Sequence, residues 1–229
     1  IAGGVNHEEC VAKVESLFDG IADHACTAPK TADYQGGETR LQKDLEQSHF
    51  ILGFEGISRL DKDYYAAQAL SSILGGGMAS RLFQEVREKR GLVYSVFSYH
   101  SAYQDAGQFG IYAGTDPQKM GEIMPVICDE VLKSTQDITE DELTRAKAQL
   151  KASLLMGRES MMSRADHQAK YMLFRGGAYD LDKIIASIEA LQVNDVTRIA
   201  AQIFKTAPTL AALGPLEKLE SYGRLQERL

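Results

Sequence analysis

The sequence predicts an α+β fold: a mostly antiparallel sheet with helices packed on one face. Three observations carry this. The extended segments come in adjacent pairs, 39–44 with 49–54 and 94–103 with 107–115, rather than singly between helices. The stretches between the pairs repeat apolar residues at helical spacing. A turn such as Gln104-Asp105-Ala106-Gly107 joins two strands directly. The chain of 229 residues is long enough to bury a sizeable core. No linker interrupts 38–214, and no segment is of low complexity, so 1–229 reads as a single domain.

The elements follow in order. Asn6 is an N-cap with Glu8 and Glu9 in the first turn, where a helix dipole favours acids. Val11, Val14, Phe18 and Ile21 then place a helix over 7–20. Pro29, Gly36 and Gly37 make 22–37 a loop. The alternation over 39–44 reads as an edge strand, and Phe50, Leu52 and Phe54 mark a more central one. From Asp61 a helix buries Ala66, Leu70, Ile73 and Leu74 until Gly75-Gly76-Gly77 stops it. A short helix over 79–90 buries Leu82, Phe83 and Val86 and ends at Gly91. After the strand pair, Asp116-Pro117 caps a helix with Ile123, Ile127 and Val131 inside. Thr139-Glu140-Asp141-Glu142 is a capping box ahead of a long helix with Leu143, Ala146, Leu150 and Leu154. Helices follow over 162–175, 180–190 and 193–204, broken at Gly176-Gly177. A strand over 209–213 ends at Gly214-Pro215, and the tail is a polar helix.

Bulk properties exclude several classes. A formal net charge of -7 argues against general nucleic-acid binding. No apolar run approaches the ~18 residues of a membrane span. Cys10, Cys26 and Cys128 are too scattered for a disulfide framework or a metal site, so a reducing compartment is the simpler reading. The chain opens on Ile1-Ala2-Gly3-Gly4 without an initiator Met, as though cut inside a longer protein, which leaves localisation unreadable.

His7, His24, His49, His100 and His167 show neither H-E-x-x-H nor H-x-x-E-H spacing, so no metal ligands are assigned to this chain. His7 and Cys10 lie three apart but lack a second ligand pair. There is no G-x-S-x-G elbow. The glycine triplet lacks the G-K-[ST] ending of a phosphate loop, and it follows a helix rather than a strand, which disfavours a nucleotide-binding module. Arg87 and Tyr94 are more informative. They lie seven residues apart across the Gly91 break, and both are donors suited to a carbonyl or an oxyanion. Spacing alone leaves the other reading open: Arg87 as one of four cations, with Arg81, Lys89 and Arg90, on a solvated helix, and Tyr94 as a packed strand aromatic.

The run 74–99 carries the glycine triplet, Ser80-Arg81-Leu82-Phe83, Arg87-Glu88-Lys89-Arg90-Gly91-Leu92 and Tyr94-Ser95. It resembles the second half of the pitrilysin/insulinase family of zinc metallopeptidases, in the branch of the mitochondrial processing peptidases and their bacterial relatives. Ala2-Gly3-Gly4-Val5, Gly36-Gly37-Glu38, Gln47-Ser48-His49-Phe50, Tyr103-Gln104-Asp105-Ala106-Gly107 and Leu213-Gly214-Pro215 extend the likeness across nearly the whole chain.

The resemblance implies one half of a duplicated fold, the non-metal half of a zinc endopeptidase. In that family the other half, or a partner subunit, holds zinc in H-x-x-E-H, and the two halves close around an extended peptide. Arg87 and Tyr94 then take the catalytic roles of donors to the tetrahedral intermediate. Gly75, Gly76 and Gly77 stand where one processing-peptidase subunit has a longer substrate-contacting loop. Zinc is the cofactor of the intact enzyme and is not expected on this chain, which alone is expected to be inactive. The implied partners are the zinc-binding half or subunit and the peptide substrate, with a homodimer among the allowed assemblies. Substrate addition to the strand around Phe50 is a further expectation. The alternative within the family is a member without catalysis that serves as a scaffold.

Overall fold

The computed structural model describes residues 1–21 and 30–229. The expected loop over 22–37, with His24 and Cys26, therefore lies outside the described residues as far as residue 29. The described chain falls into two compact units, one of Ile1–Thr31 with Ala152–Asp180, the other of Ala32–Lys151 with Leu181–Leu229.

The larger unit holds a five-stranded sheet in the order β1-β5-β2-β4-β3. Its strands are β1 (Gly37–Gln42), β2 (Ser48–Gly56), β3 (Ser95–Ala102), β4 (Gly107–Thr115) and β5 (Thr209–Gly214). β2 pairs antiparallel with both β4 and β5, and β3 with β4; only β1 and β5 run parallel. This register settles one expectation against the sequence reading. β2, the strand of Phe50, has both edges occupied, from His49 to Gly53 on each side. With no free N–H or C=O row there, it accepts no added strand. The outer strands of this sheet are β1 and β3.

Period-two alternation sorts the faces. Phe50, Leu52 and Phe54 of β2, Phe109, Ile111 and Ala113 of β4, Val96 of β3 and Leu210 and Ala212 of β5 are buried on one side. Against them pack α2 (Tyr64–Gly75), α3 (Met120–Ser134) and α7 (Val193–Phe204). Phe204 meets Phe54 and Phe109 edge-on, with centroids 5.0 and 5.4 Å apart. The opposite face carries His49, Ile51, Phe97, Tyr99 and Tyr112, partly exposed, with Phe97 stacked on Tyr112 at 4.8 Å.

α2 approaches the sheet through Gly75. A Cβ there would lie 2.2 Å from the Ser98 backbone nitrogen, so only glycine fits this contact. The start expected at Asp116-Pro117 is a 3-10 turn over Pro117–Lys119, with Asp116 accepting from the Gln118 N–H and proline at its first position, and α3 follows it directly from Met120. α4 (Glu140–Gly157) has the expected capping box: Thr139 Oγ1 accepts from the Glu142 N–H, and Glu142 accepts from the Thr139 N–H. α6 (Leu181–Glu189) buries Ile184 and Ile188. The tail helix α8 (Tyr222–Arg228) is less polar in role than in sequence, because Leu225 is fully buried.

The smaller unit contains α1 (His7–Phe18), capped by Asn6 as expected, and α5 (Met161–Arg175), which ends at left-handed Gly176. Neither helix contains a buried residue, and the apolar stripe of α1 is exposed at Val11, Val14 and Phe18. Among the described residues no helix is long and apolar enough to cross a membrane.

Candidate functional site

The site is built on the segment between α2 and β3. The helix expected over 79–90 is in fact a π-helix over Phe83–Glu88. Its wider bonding shows in the Lys89 N–H, which reaches the Gln84 carbonyl five residues back at 2.9 Å. Such widened turns are rare and concentrate at functional sites. Leu82 and Val86 bury its inner side. Of the three positions expected inside, Phe83 is only half-buried, with the Arg87 guanidinium over its ring, and an i→i+5 turn has no distinct apolar repeat in a segment this short.

Gly91, at φ +58°, turns the chain out of the helix. The turn is tightly held. The Leu92 N–H donates to the Val86 carbonyl at 2.9 Å, Lys119 Nζ donates to the Gly91 carbonyl at 2.7 Å, and Thr115 Oγ1 donates to the Leu92 carbonyl at 2.5 Å. The Tyr94 N–H then donates to the Gly114 carbonyl at 2.9 Å, one residue before β3 begins. Arg87 and Tyr94 thus issue from two rigid supports joined by a short pinned turn.

The cations of this segment differ in what they bond. Lys89 and Arg90 both pair with Glu85, Arg90 at 2.6 Å, and these partners, Lys89 first, hold the Glu85 carboxyl down at about 2. Arg81 is not on a solvated face. Its side chain is 12% exposed, and it donates to Glu142 through Nε at 2.6 Å and Nη2 at 2.8 Å, and to Asp137 through Nη1 at 2.5 Å. Burial would raise the Glu142 carboxyl, but hydrogen bonds from Arg81 and Thr139 outweigh it and hold the group below its usual range. Arg87 is the exception. Its guanidinium lies over the Phe83 ring, 4.7 Å from the centroid, and among the described residues it meets no carboxylate. Tyr94 is 58% exposed, and its hydroxyl has no hydrogen bond within the described chain. No hydrogen bond joins Arg87 to Tyr94; each keeps its donors free.

The glycine triplet divides. Gly75 is buried packing, as described above. Gly76 and Gly77, with Met78, Ala79, Glu142 and Gln149, line a cleft of about 300 Å³ between α2 and α4. That lining includes neither Arg87 nor Tyr94.

Among the described residues the histidines do not converge. His49 contacts Tyr112 Oη at 2.9 Å, His100 is buried against Ile57, and His167 stacks on Tyr179. Among the described residues no group of three His, Cys, Asp or Glu side chains is placed to hold a metal. Sequence reasoning missed the role of Arg81. The capping box at Thr139 was legible, but nothing local links Glu142 to an arginine 61 residues away.

Comparison with known proteins gives this arrangement a context. Residues 1–150 match the family described as the Peptidase M16 inactive domain. An uncharacterized zinc protease of Rickettsia felis is 38% identical over 216 residues, covering 94% of this chain and 52% of that protein. The uncharacterized zinc protease YmxG of Bacillus subtilis is 34% identical over 96% of this chain and 54% of its own length. The chain thus spans about half the length of the curated relatives it matches. Among solved structures, a protease from Helicobacter pylori aligns with a TM-score of 0.81 at 27% identity, over 93% of this chain and 54% of that one. A chain of complex III2 from Candida albicans aligns with a TM-score of 0.90 at 24% identity, over 99% and 57%, a likeness of fold. The match over residues 1–150 and the identity to proteins named zinc proteases agree: this chain belongs to the Peptidase M16 family and matches the domain described there as inactive.

Proposed function

We propose that this chain is the substrate-facing half of a zinc endopeptidase, with Arg87 and Tyr94 donating hydrogen bonds to a peptide carbonyl as it becomes an oxyanion. The observation that carries this reading is the state of Arg87. In a segment whose neighbouring cations are spent on carboxylates, its guanidinium is held over an aromatic ring and left without an anion. Such a group costs little to reorganise when negative charge develops nearby, which is the physical content of oxyanion stabilisation. The exposed Tyr94 hydroxyl is a second donor from an independent support.

Zinc belongs, on this reading, to another half or subunit, which is the required partner; the substrate is an extended peptide. Gly76 and Gly77 enter as bare backbone that gives the peptide clearance. The test is an assay of the metal-carrying half with and without this chain, then with Arg87→Ala and Tyr94→Phe. Activity that depends on the chain and falls about two to three orders of magnitude on losing a donor supports the role. Undiminished activity in both variants removes it.

A further inference from the structure

Arg81 lies six residues before Arg87, at the entrance to the same π-helix. Its guanidinium is fixed on three sides, by both Glu142 oxygens, by Asp137 Oδ1 and by the Asp137 carbonyl at 2.9 Å. Both partners belong to the turn and first residues of α4, and Glu142 is itself held by the capping box with Thr139. A two-oxygen guanidinium–carboxylate pair fixes orientation as well as distance. The far end of the π-helix is held by the Leu92 N–H on the Val86 carbonyl and by Lys119 Nζ and Thr115 Oγ1 on the Gly91 and Leu92 carbonyls.

Hydrogen bonds at both ends oppose a change in the segment's residue count per turn. This matters because a π-turn holds one more residue than an α-turn, and adding or removing one residue rotates everything beyond it by about 100°. Arg87 lies beyond most of that turn. We infer that Arg81, anchored by Glu142 and Asp137, is a positioning residue for Arg87: it holds the π register that keeps the Arg87 guanidinium over Phe83 and aimed outward. Its consequence for catalysis rests on the reading of Arg87 given above; its consequence for geometry does not.

Two readouts separate these. In the full chain, a guanidinium 4.7 Å from the Phe83 centroid is expected to place the Arg87 side-chain Nε–H resonance under that ring's current. Arg81→Ala is expected to move that resonance towards its random-coil position while the methyl signals of buried Ile111 and Ile123 stay in place. In the assembled zinc enzyme, the same variant is expected to lower kcat about 10- to 100-fold, the effect of a small misplacement of a catalytic group. KM stays within about twofold, because ground-state binding is untouched. Arg81→Lys recovers part of kcat, since an ammonium meets one carboxylate oxygen but not two. If Arg81→Ala unfolds, Glu142→Gln carries the same two measurements with the shape retained. An unmoved Arg87 resonance with unchanged kcat in a folded variant overturns the inference. Full activity in Arg87→Ala instead overturns the catalytic reading, and the resonance alone then decides the positioning role.

Discussion

Arg81 and Arg87 share one short segment and one chemistry, yet the fold uses them in opposite ways. Arg81 is nearly enclosed and shared between two carboxylates. Arg87 is exposed, rests on Phe83 and meets no anion in the described chain. The first trades its charge for a fixed geometry; the second keeps its charge available. An arginine whose hydrogen bonds are already filled holds structure, whereas one with empty donors on a rigid support can act on a ligand.

The sharpest way to break this comparison is to exchange the costs. Arg87→Ala in the assembled enzyme is expected to reduce kcat/KM by about two to three orders of magnitude. Thermal unfolding of the chain should stay within about 0.5 kcal/mol, as for an exposed side chain with no filled hydrogen bonds. Arg81→Ala should do the reverse in thermodynamic terms. It strands Glu142 half-buried without its cation, and denaturant titration is expected to show a loss of about 3 kcal/mol. If Arg87→Ala proves as destabilising as Arg81→Ala, the division of labour fails.

The same division runs through the glycines. Gly75→Ala drives a methyl into the Ser98 backbone and should cost about 1–3 kcal/mol by urea titration. Met78→Ala, three residues on and mostly exposed, should fall within about 0.5 kcal/mol.

The histidines give the smallest effect at neutral pH. Burial, partly offset by the Ile57 backbone, lowers His100 to about 4, whereas an unfolded imidazole titrates near 6.5. The unfolded chain therefore binds the proton first. Stability is unaffected above about pH 6.5 and declines as pH falls from there towards 4. Unfolding midpoints recorded across that window should slope downward towards acid in the native protein and flatten in His100→Gln.

Much of this was legible in the chain itself. The Asn6, Asp116 and Thr139 caps act within three residues, so local chemistry places those helix starts. Alternation at Phe50, Leu52 and Phe54 marks β2 as central because both its neighbours bury the same face. Residue type and the Gly91 break singled out Arg87 and Tyr94 as candidates, but spacing alone left a solvated cation and a packed aromatic open, and only the family resemblance gave them roles.

Other features depended on contacts far apart in sequence. β2 lost its expected role as substrate acceptor once β4 and β5 occupied its two edges, partners contributed from 107–115 and 209–214. Gly75 looked like part of a loop but is set by the approach of α2 to β3. Arg81, one basic residue among four in the sequence, became a buried clamp because α4 brings Glu142 to it. Capping, periodicity and turn chemistry are short-range, so the sequence by itself determined the elements, their order and the absence of a zinc motif. Pairing, desolvation and charge neutralisation depend on distance in space. The tertiary structure alone therefore decided which edges stay open, which arginine is enclosed, and which one meets no carboxylate among the described residues.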